Sequence, residues 1–137
     1  MNRYSERARL AFHFAWTEAD SLGENVVGVE HLLLGLLRQQ TAASAALNGA
    51  GVTLTEARQK VKQKLAARGR HAPKRLEDEM TPELEGVTRL IDKTQNSLVE
   101  PEDLLLAMLE HNSESLQDLI GDTDGLRQQL SRDSVGG

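Results

Sequence analysis

Gly28-Val29-Glu30-His31-Leu32-Leu33-Leu34-Gly35-Leu36-Leu37-Arg38 is the stretch whose reading decides the fold. On a helix its five leucines point to every side. A helix that is apolar all round must be buried all round, so this segment is the central strut of whatever unit contains it. A second strut follows in Glu100-Pro101-Glu102-Asp103-Leu104-Leu105-Leu106-Ala107-Met108-Leu109-Glu110. Setting Glu30 on Glu102, an offset of 72 residues (102 − 30), places Leu32, Leu33 and Leu34 on Leu104, Leu105 and Leu106. Gly35 then falls on Ala107, Leu36 on Met108 and Leu37 on Leu109. An acidic first turn, three leucines, a small residue and two large apolar residues recur in one order, which marks an internal repeat.

The flanking segments complete two units of four helices. Before the first strut, Ala8, Phe12, Ala15, Ala19 and Leu22 recur at helical spacing over residues 6 to 22, with Trp16 widening the face. Ser5 reads as the N-cap and Gly23 as a left-handed C-terminal residue. After the strut a short helix is expected near Ala42 to Leu47, stopping at Gly49 or Gly51. A fourth opens on the capping box Thr53-Leu54-Thr55-Glu56, with Val61 and Leu65 facing inward. In the second unit Thr81-Pro82 reads as N-cap and N1 of a helix carrying Leu84, Val87, Leu90 and Ile91. Two short helices near Ser115 to Ile120 and Asp124 to Leu130 follow its strut, and 134–137 reads as a frayed tail or the start of a linker. The expected organisation is a single all-α domain over 1–137: repeat one about 4–66, a charged linker 67–80 broken by Gly and Pro, and repeat two about 81–132. Each unit is too small to bury its strut alone, so the two are expected to pack with pseudo-two-fold symmetry.

Composition narrows the function. The chain of 137 residues carries a formal net charge of −5, which argues against nucleic acid as the main partner. It has no cysteine, so disulfides, thiolate metal sites and cysteine nucleophiles are excluded. No apolar run approaches the roughly 20 residues that span a bilayer, and the N-terminus does not resemble a signal peptide; a cytoplasmic protein is expected. No phosphate loop, nucleophile elbow or metal-ligand spacing occurs. The histidines His13, His31, His71 and His111 are scattered; His31 is expected to bond structurally near the strut's start, and His111 to complement the C-terminal end of the second strut. An enzyme is therefore not expected, nor a cofactor. The aromatics are confined to Tyr4, Phe12, Phe14 and Trp16. Phe12 and Phe14, two residues apart, cannot share one narrow helix face, so one of them is expected to be partly exposed.

Tyr4-Ser5-Glu6-Arg7-Ala8, then Leu22-Gly23-Glu24-Asn25, then the first strut, strongly resemble the N-terminal repeat domain of the Clp family of AAA+ protein unfoldases, of the ClpC and ClpA type. The resemblance runs from residue 4 to about 132. Repeat two departs from the pattern. Met80 replaces the aromatic, Glu83-Leu84 replaces Arg-Ala, Glu100-Pro101 stands where the family has Gly-Thr, and Asp103 stands for His. Met80 lies 22 residues before Glu102, against 26 from Tyr4 to Glu30, so about one helical turn is missing. The resemblance implies a module that captures protein substrates and adaptors for a Clp unfoldase or protease, including arginine-phosphorylated proteins.

On that implication Glu30 and Glu102 each grip a guanidinium, while free N–H groups at a nearby helix start, marked by Ser5 and Thr81, take the phosphate. Grouped by repeat, Ser5 is expected beside Glu30 and Thr81 beside Glu102. The competing role for the carboxylates is complementing the helix dipole, and for the hydroxyls capping alone. Two other functions fit the chain: a free-standing accessory protein regulating Clp protease assembly, and a regulatory domain binding a small molecule between the repeats.

Overall fold

The structure, a computed structural model, describes residues 3–24, 26–68, 79–94, 98–111 and 114–136. Among these are eight helices: α1 (Glu6–Ser21), α2 (Val29–Leu37), α3 (Ala42–Gly49), α4 (Leu54–Arg68), α5 (Pro82–Thr94), α6 (Pro101–His111), α7 (Glu114–Ile120) and α8 (Thr123–Gly136). Two dipeptide strands, β1 (Val26–Val27) and β2 (Glu79–Met80), pair in parallel. The all-α fold of two four-helix units is the one expected.

The struts α2 and α6 form its centre. Leu32, Leu33, Leu34 and Leu36 of α2 are wholly buried, as are Leu104 and Leu105 of α6, with Met108 and Leu109 nearly so. Burial of each such side chain is worth about 1.5–3 kcal/mol. The struts pack on each other, and each also touches helices of the other unit: α2 meets α7, and α6 meets α1 and α3. One apolar cluster therefore runs through both repeats.

The connections between units are exchanged. The segment entering α1 pairs with the segment entering α6, through a parallel bridge between Tyr4 and Val99. The segment entering α2 pairs with the one entering α5, Val27 facing Met80. The Ser5 amide donates to the Val99 carbonyl at 2.9 Å, and the Thr81 amide donates to the Val27 carbonyl at 2.9 Å. Val27 and Val99 correspond at the 72-residue offset, so the two bonds are one bond repeated by the pseudo-two-fold. Most of the expected linker, residues 69–78, lies outside the described residues, as does the side chain of Leu65.

Local signals behave as the sequence suggests, with two differences. Gly23 is left-handed (φ 78°) after α1, and Gly51 (φ 87°) follows α3. The Thr53 hydroxyl accepts from the Glu56 amide at 3.3 Å. α5 has 13 residues against 16 in α1, so three residues of the missing turn come out of this helix. The first difference is α8, which runs to Gly136 where a tail is expected at 134–137. It is capped by Asp122, whose Oδ1 accepts from the Gly125 amide at 3.0 Å. Leu126 and Leu130 pin it to the core, and no proline interrupts it.

The second difference is a polar network bridging three helices. Glu18 sits on the otherwise apolar face of α1 and is 4% exposed. Arg58 of α4 donates to it twice, Nε at 3.0 Å to Oε1 and Nη2 at 2.6 Å to Oε2. Arg38, at the end of α2, adds a third bond at 3.3 Å. The Arg38 guanidinium also lies 4.3 Å from the centre of the Phe14 ring, within cation–π range. Phe14 is thus the partly exposed aromatic, covered by an arginine, while Phe12 is buried against Tyr4. The hydrogen bond from Arg58, aided by the charge of Arg38, holds the Glu18 carboxyl below the usual glutamate range against the opposing effect of burial.

Because the folded pKa of Glu18 is lowered, its contribution is present above the ordinary glutamate value of about 4.3 and is lost as pH falls through the folded value. Chemical denaturation across this range should show a stability loss in the wild type that is reduced in Glu18→Gln. At neutral pH, Glu18→Ala should cost about 1–3 kcal/mol, short of the cost of breaking a fully buried pair because both arginines reach solvent. Separately, a Cβ on Gly35 would lie 2.4 Å from the Ala11 carbonyl oxygen of α1. Gly35→Ala should lower thermal stability by about 1–3 kcal/mol through overpacking, despite alanine's better helix propensity.

Candidate functional site

Both strut N-termini are built around a backward-reaching side chain. In α2 the Nδ1 of His31, 1% exposed, accepts from the Gly28 amide at 2.9 Å. In α6 the Oδ2 of Asp103 accepts from the Glu100 amide at 2.9 Å. His31 and Asp103 correspond at the repeat offset, so the departure from histidine in repeat two preserves the capping bond with a different acceptor. His31 is the structural residue the sequence suggests. His111 stands at the exposed C-terminal end of α6, over Gly86 of α5.

The two first-turn carboxylates next to these caps, Glu30 and Glu102, are half-buried. Among the described residues neither makes an ion pair or a side-chain hydrogen bond. Glu30 folds back over its own N-cap: a Cβ at Gly28 would come within 2.6 Å of Glu30 Oε1 and 3.2 Å of Oε2. The carboxylate therefore lies where only a glycine leaves room.

The hydroxyls are both N-caps. Ser5 Oγ accepts from the Ala8 amide at 3.1 Å, and Thr81 Oγ1 accepts from the Leu84 amide at 3.2 Å. Each hydroxyl keeps its proton to donate. The exchanged pairing places them differently from the grouping by repeat. Thr81 is bonded to Val27, two positions before the start of α2, and so stands beside Gly28 and Glu30. Ser5 is bonded to Val99 and stands beside Glu100 and Glu102. Each candidate site is thus composite, with a carboxylate at a strut's start from one repeat and a hydroxyl-capped helix start from the other. Nothing local in the sequence reveals this exchange, because Val26-Val27 and Leu98-Val99 are short apolar dipeptides without a strand pattern of their own.

Such an arrangement offers a carboxylate to a guanidinium or ammonium group and helix-start amides to an anion, side by side. Its two halves are not equal. Glu100 fills the N-cap position held by Gly28, and Arg7 of α1 approaches its Oε1 at 3.9 Å.

Comparison with known proteins agrees with this architecture. The model for the Clp repeat (R) N-terminal domain matches residues 3–123. The chain is 38% identical over 89 residues, 63% of its length, to the negative regulator of genetic competence ClpC/MecB of Bacillus subtilis. It is 32% identical over 139 aligned residues, 95% of its length, to the chloroplastic chaperone protein ClpC of Pisum sativum. It spans 11% and 15% of those relatives. The N-terminal domain of the caseinolytic protease associated chaperone ClpD of Arabidopsis thaliana has the same fold, with a TM-score of 0.76 at 20% identity over 99% of this chain and 96% of that one. The Hsp104 N-terminal domain of Candida albicans superposes with a TM-score of 0.68 at 17% identity, over 93% of this chain and 88% of that one. No helix among the described residues is long and apolar enough to cross a membrane. With its doubled leucine strut, its exchanged repeats and a family match over almost its whole length, the chain belongs to the Clp repeat N-terminal domain family.

Proposed function

We propose that the chain is the capture module of a Clp-type ATP-dependent unfoldase or protease. It acts by binding protein substrates and adaptors and carries no catalysis or cofactor of its own. The finer reading is recognition of arginine-phosphorylated proteins in the cytoplasm. One observation carries it: the Glu30 carboxylate, without a partner among the described residues, is seated over Gly28, and the residue before Gly28 is bonded to Thr81, the cap of α5. A phosphoarginine side chain brings N–H groups and a dianionic phosphate on one short chain. A carboxylate recognises the first, and the Thr81 hydroxyl, the Glu83 amide at the start of α5 and the Val29 and Glu30 amides at the start of α2 are the donors for the second, so a site holding both suits this ligand better than it suits arginine or phosphate alone. The names of the relatives, a competence regulator and chaperones of the Clp type, support the coarser part of the reading.

Isothermal titration of free phosphoarginine into the protein tests it, with arginine and inorganic phosphate as controls. Binding is expected for phosphoarginine and at least tenfold weaker binding for each control. Glu30→Ala should lose that binding while its unfolding free energy changes by no more than about 1 kcal/mol, the scale of a lost dipole partner. Full affinity in the mutant would remove Glu30 from the site. Absence of binding by the wild type would leave adaptor docking or an accessory role in protease assembly.

A further inference from the structure

We infer that the outer face of α4, with the groove it forms against α7, is a second interaction surface, and that it fits an acidic segment of a partner protein. α4 carries five of the chain's 16 Lys and Arg but one of its 21 Asp and Glu. In a chain of net charge −5 this is a local reversal of sign. The fold uses two of these cations. Arg58 turns to Glu18, and Lys64 Nζ donates to Asp118 Oδ2 of α7 at 2.7 Å. It does not use Lys60 and Lys62. Both are exposed, and among the described residues neither makes an ion pair or a side-chain hydrogen bond. Lys60, Gln63 and Lys64, at i, i+3 and i+4, line one side of an open groove of about 430 Å³, with Asp118 and Leu119 of α7 on the other.

A merely solvated helix face does not account for this arrangement. Arg58 with Lys62, and Lys60 with Lys64, are like charges at i and i+4, a spacing that weakens a helix, and Glu56 is spaced to offset Lys60 alone. The helix dipole favours cations in the last turn only, whereas Lys60 and Lys62 stand in mid-helix. The inner side of α4 gives little in return: of its described side chains only Ala57 and Val61 are buried. An acidic partner supplies the missing counter-charge. The exposed positions beyond the first turn, Gln59, Lys60, Lys62 and Gln63, separate this partner from other polyanions. They include no aromatic ring on which a nucleic-acid base could stack and no apolar side chain that could enter a bilayer. The two glutamine amides between the lysines both donate and accept, which suits a peptide backbone. Arg58 shares Glu18 with Arg38, at the C-terminal end of α2, so this surface begins at the opposite end of that strut from Glu30.

The test is a titration of a decaglutamate peptide into the isotope-labelled protein, followed by amide chemical shifts, with an oligothymidylate of equal charge and phosphatidylglycerol vesicles as controls. Shifts are expected at Lys60, Gln63, Lys64 and Asp118, with binding at least about tenfold weaker when salt is raised from about 0.05 to about 0.5 M. Lys60→Glu with Lys62→Glu should weaken the peptide's binding by at least about tenfold at an unchanged melting temperature, because the fold uses neither side chain. The readout does not involve phosphoarginine, so failure of the proposed site at Glu30 and failure of this one are separate results. Absence of shifts on α4 at low salt would overturn the inference, as would shifts that survive the charge reversal. Equal or tighter binding of the oligothymidylate or the vesicles would overturn the choice of an acidic protein segment. Where the double variant fails to fold, Lys60→Gln with Lys62→Gln, which removes the charges without reversing them, should still weaken binding by about threefold or more, and undiminished affinity there would overturn the inference as well.

Discussion

Everything in this molecule depends on hiding two short leucine-rich helices, of which α2 has no polar face and α6 only a narrow one. A strut with leucines on every side can exist only where other helices surround it completely. Four short helices do not make a shell large enough for that. The chain meets the requirement by duplication: α2 and α6 lie against each other, and each takes part of its cover from the opposite unit. The small residues follow from the same requirement. Gly35 lets the backbone of α2 approach the backbone of α1, and Ala8, Ala11, Ala15 and Ala19 line the facing surface. In unit two the buried residues of the corresponding helix are Leu84, Val87 and Ile91, so the same topology is filled with bulkier side chains on a shorter helix.

Mutual burial also explains why the functional positions are shared between repeats. Once the struts cross at the centre, their N-terminal ends emerge beside the first helix of the other unit. The entering segments run alongside one another, and their free backbone groups pair as the parallel bridges Tyr4 with Val99 and Val27 with Met80. A buried backbone donor or acceptor left without a partner is costly, so these bonds set the register in which Thr81 meets Gly28 and Ser5 meets Glu100. The geometry of the candidate site is thus a by-product of closing the core.

Much of this was legible in the sequence. The repeat, the strut and most of the caps were readable because each rests on local spacing: leucines on every side of a helix, a hydroxyl three residues before an amide, a glycine at a helix end. The side-chain roles of Ser5, Thr81 and His31 as helix-start bonds belong to the same class. The exchange of partners was not legible, since it depends on which unit's end emerges beside which, and dipeptide strands carry no periodicity. The network of Glu18, Arg38 and Arg58 was hidden for a related reason. Its members are 20 and 40 residues apart, and a single acidic residue on an alanine-rich face reads as an interruption until two arginines from other helices are seen to reach it.

The contrast between the two helix starts shows which parts of a repeated design physics holds fixed. At each start the N-cap amide has its acceptor three residues on, histidine in one repeat and aspartate in the other. The bond is a requirement of folding, because helix-start amides without partners are a cost both units would bear, and either side chain meets it. The glycine is different. No left-handed backbone demands it, since Gly28 is extended at φ −114°, and the helix would start as well with the side chain that Glu100 carries. What needs the missing Cβ at residue 28 is the carboxylate of Glu30 lying against the backbone, and that placement does nothing for the core. The glycine is thus tied to the placement of one side chain of its own repeat, whereas the capping bond is tied to the folding of both.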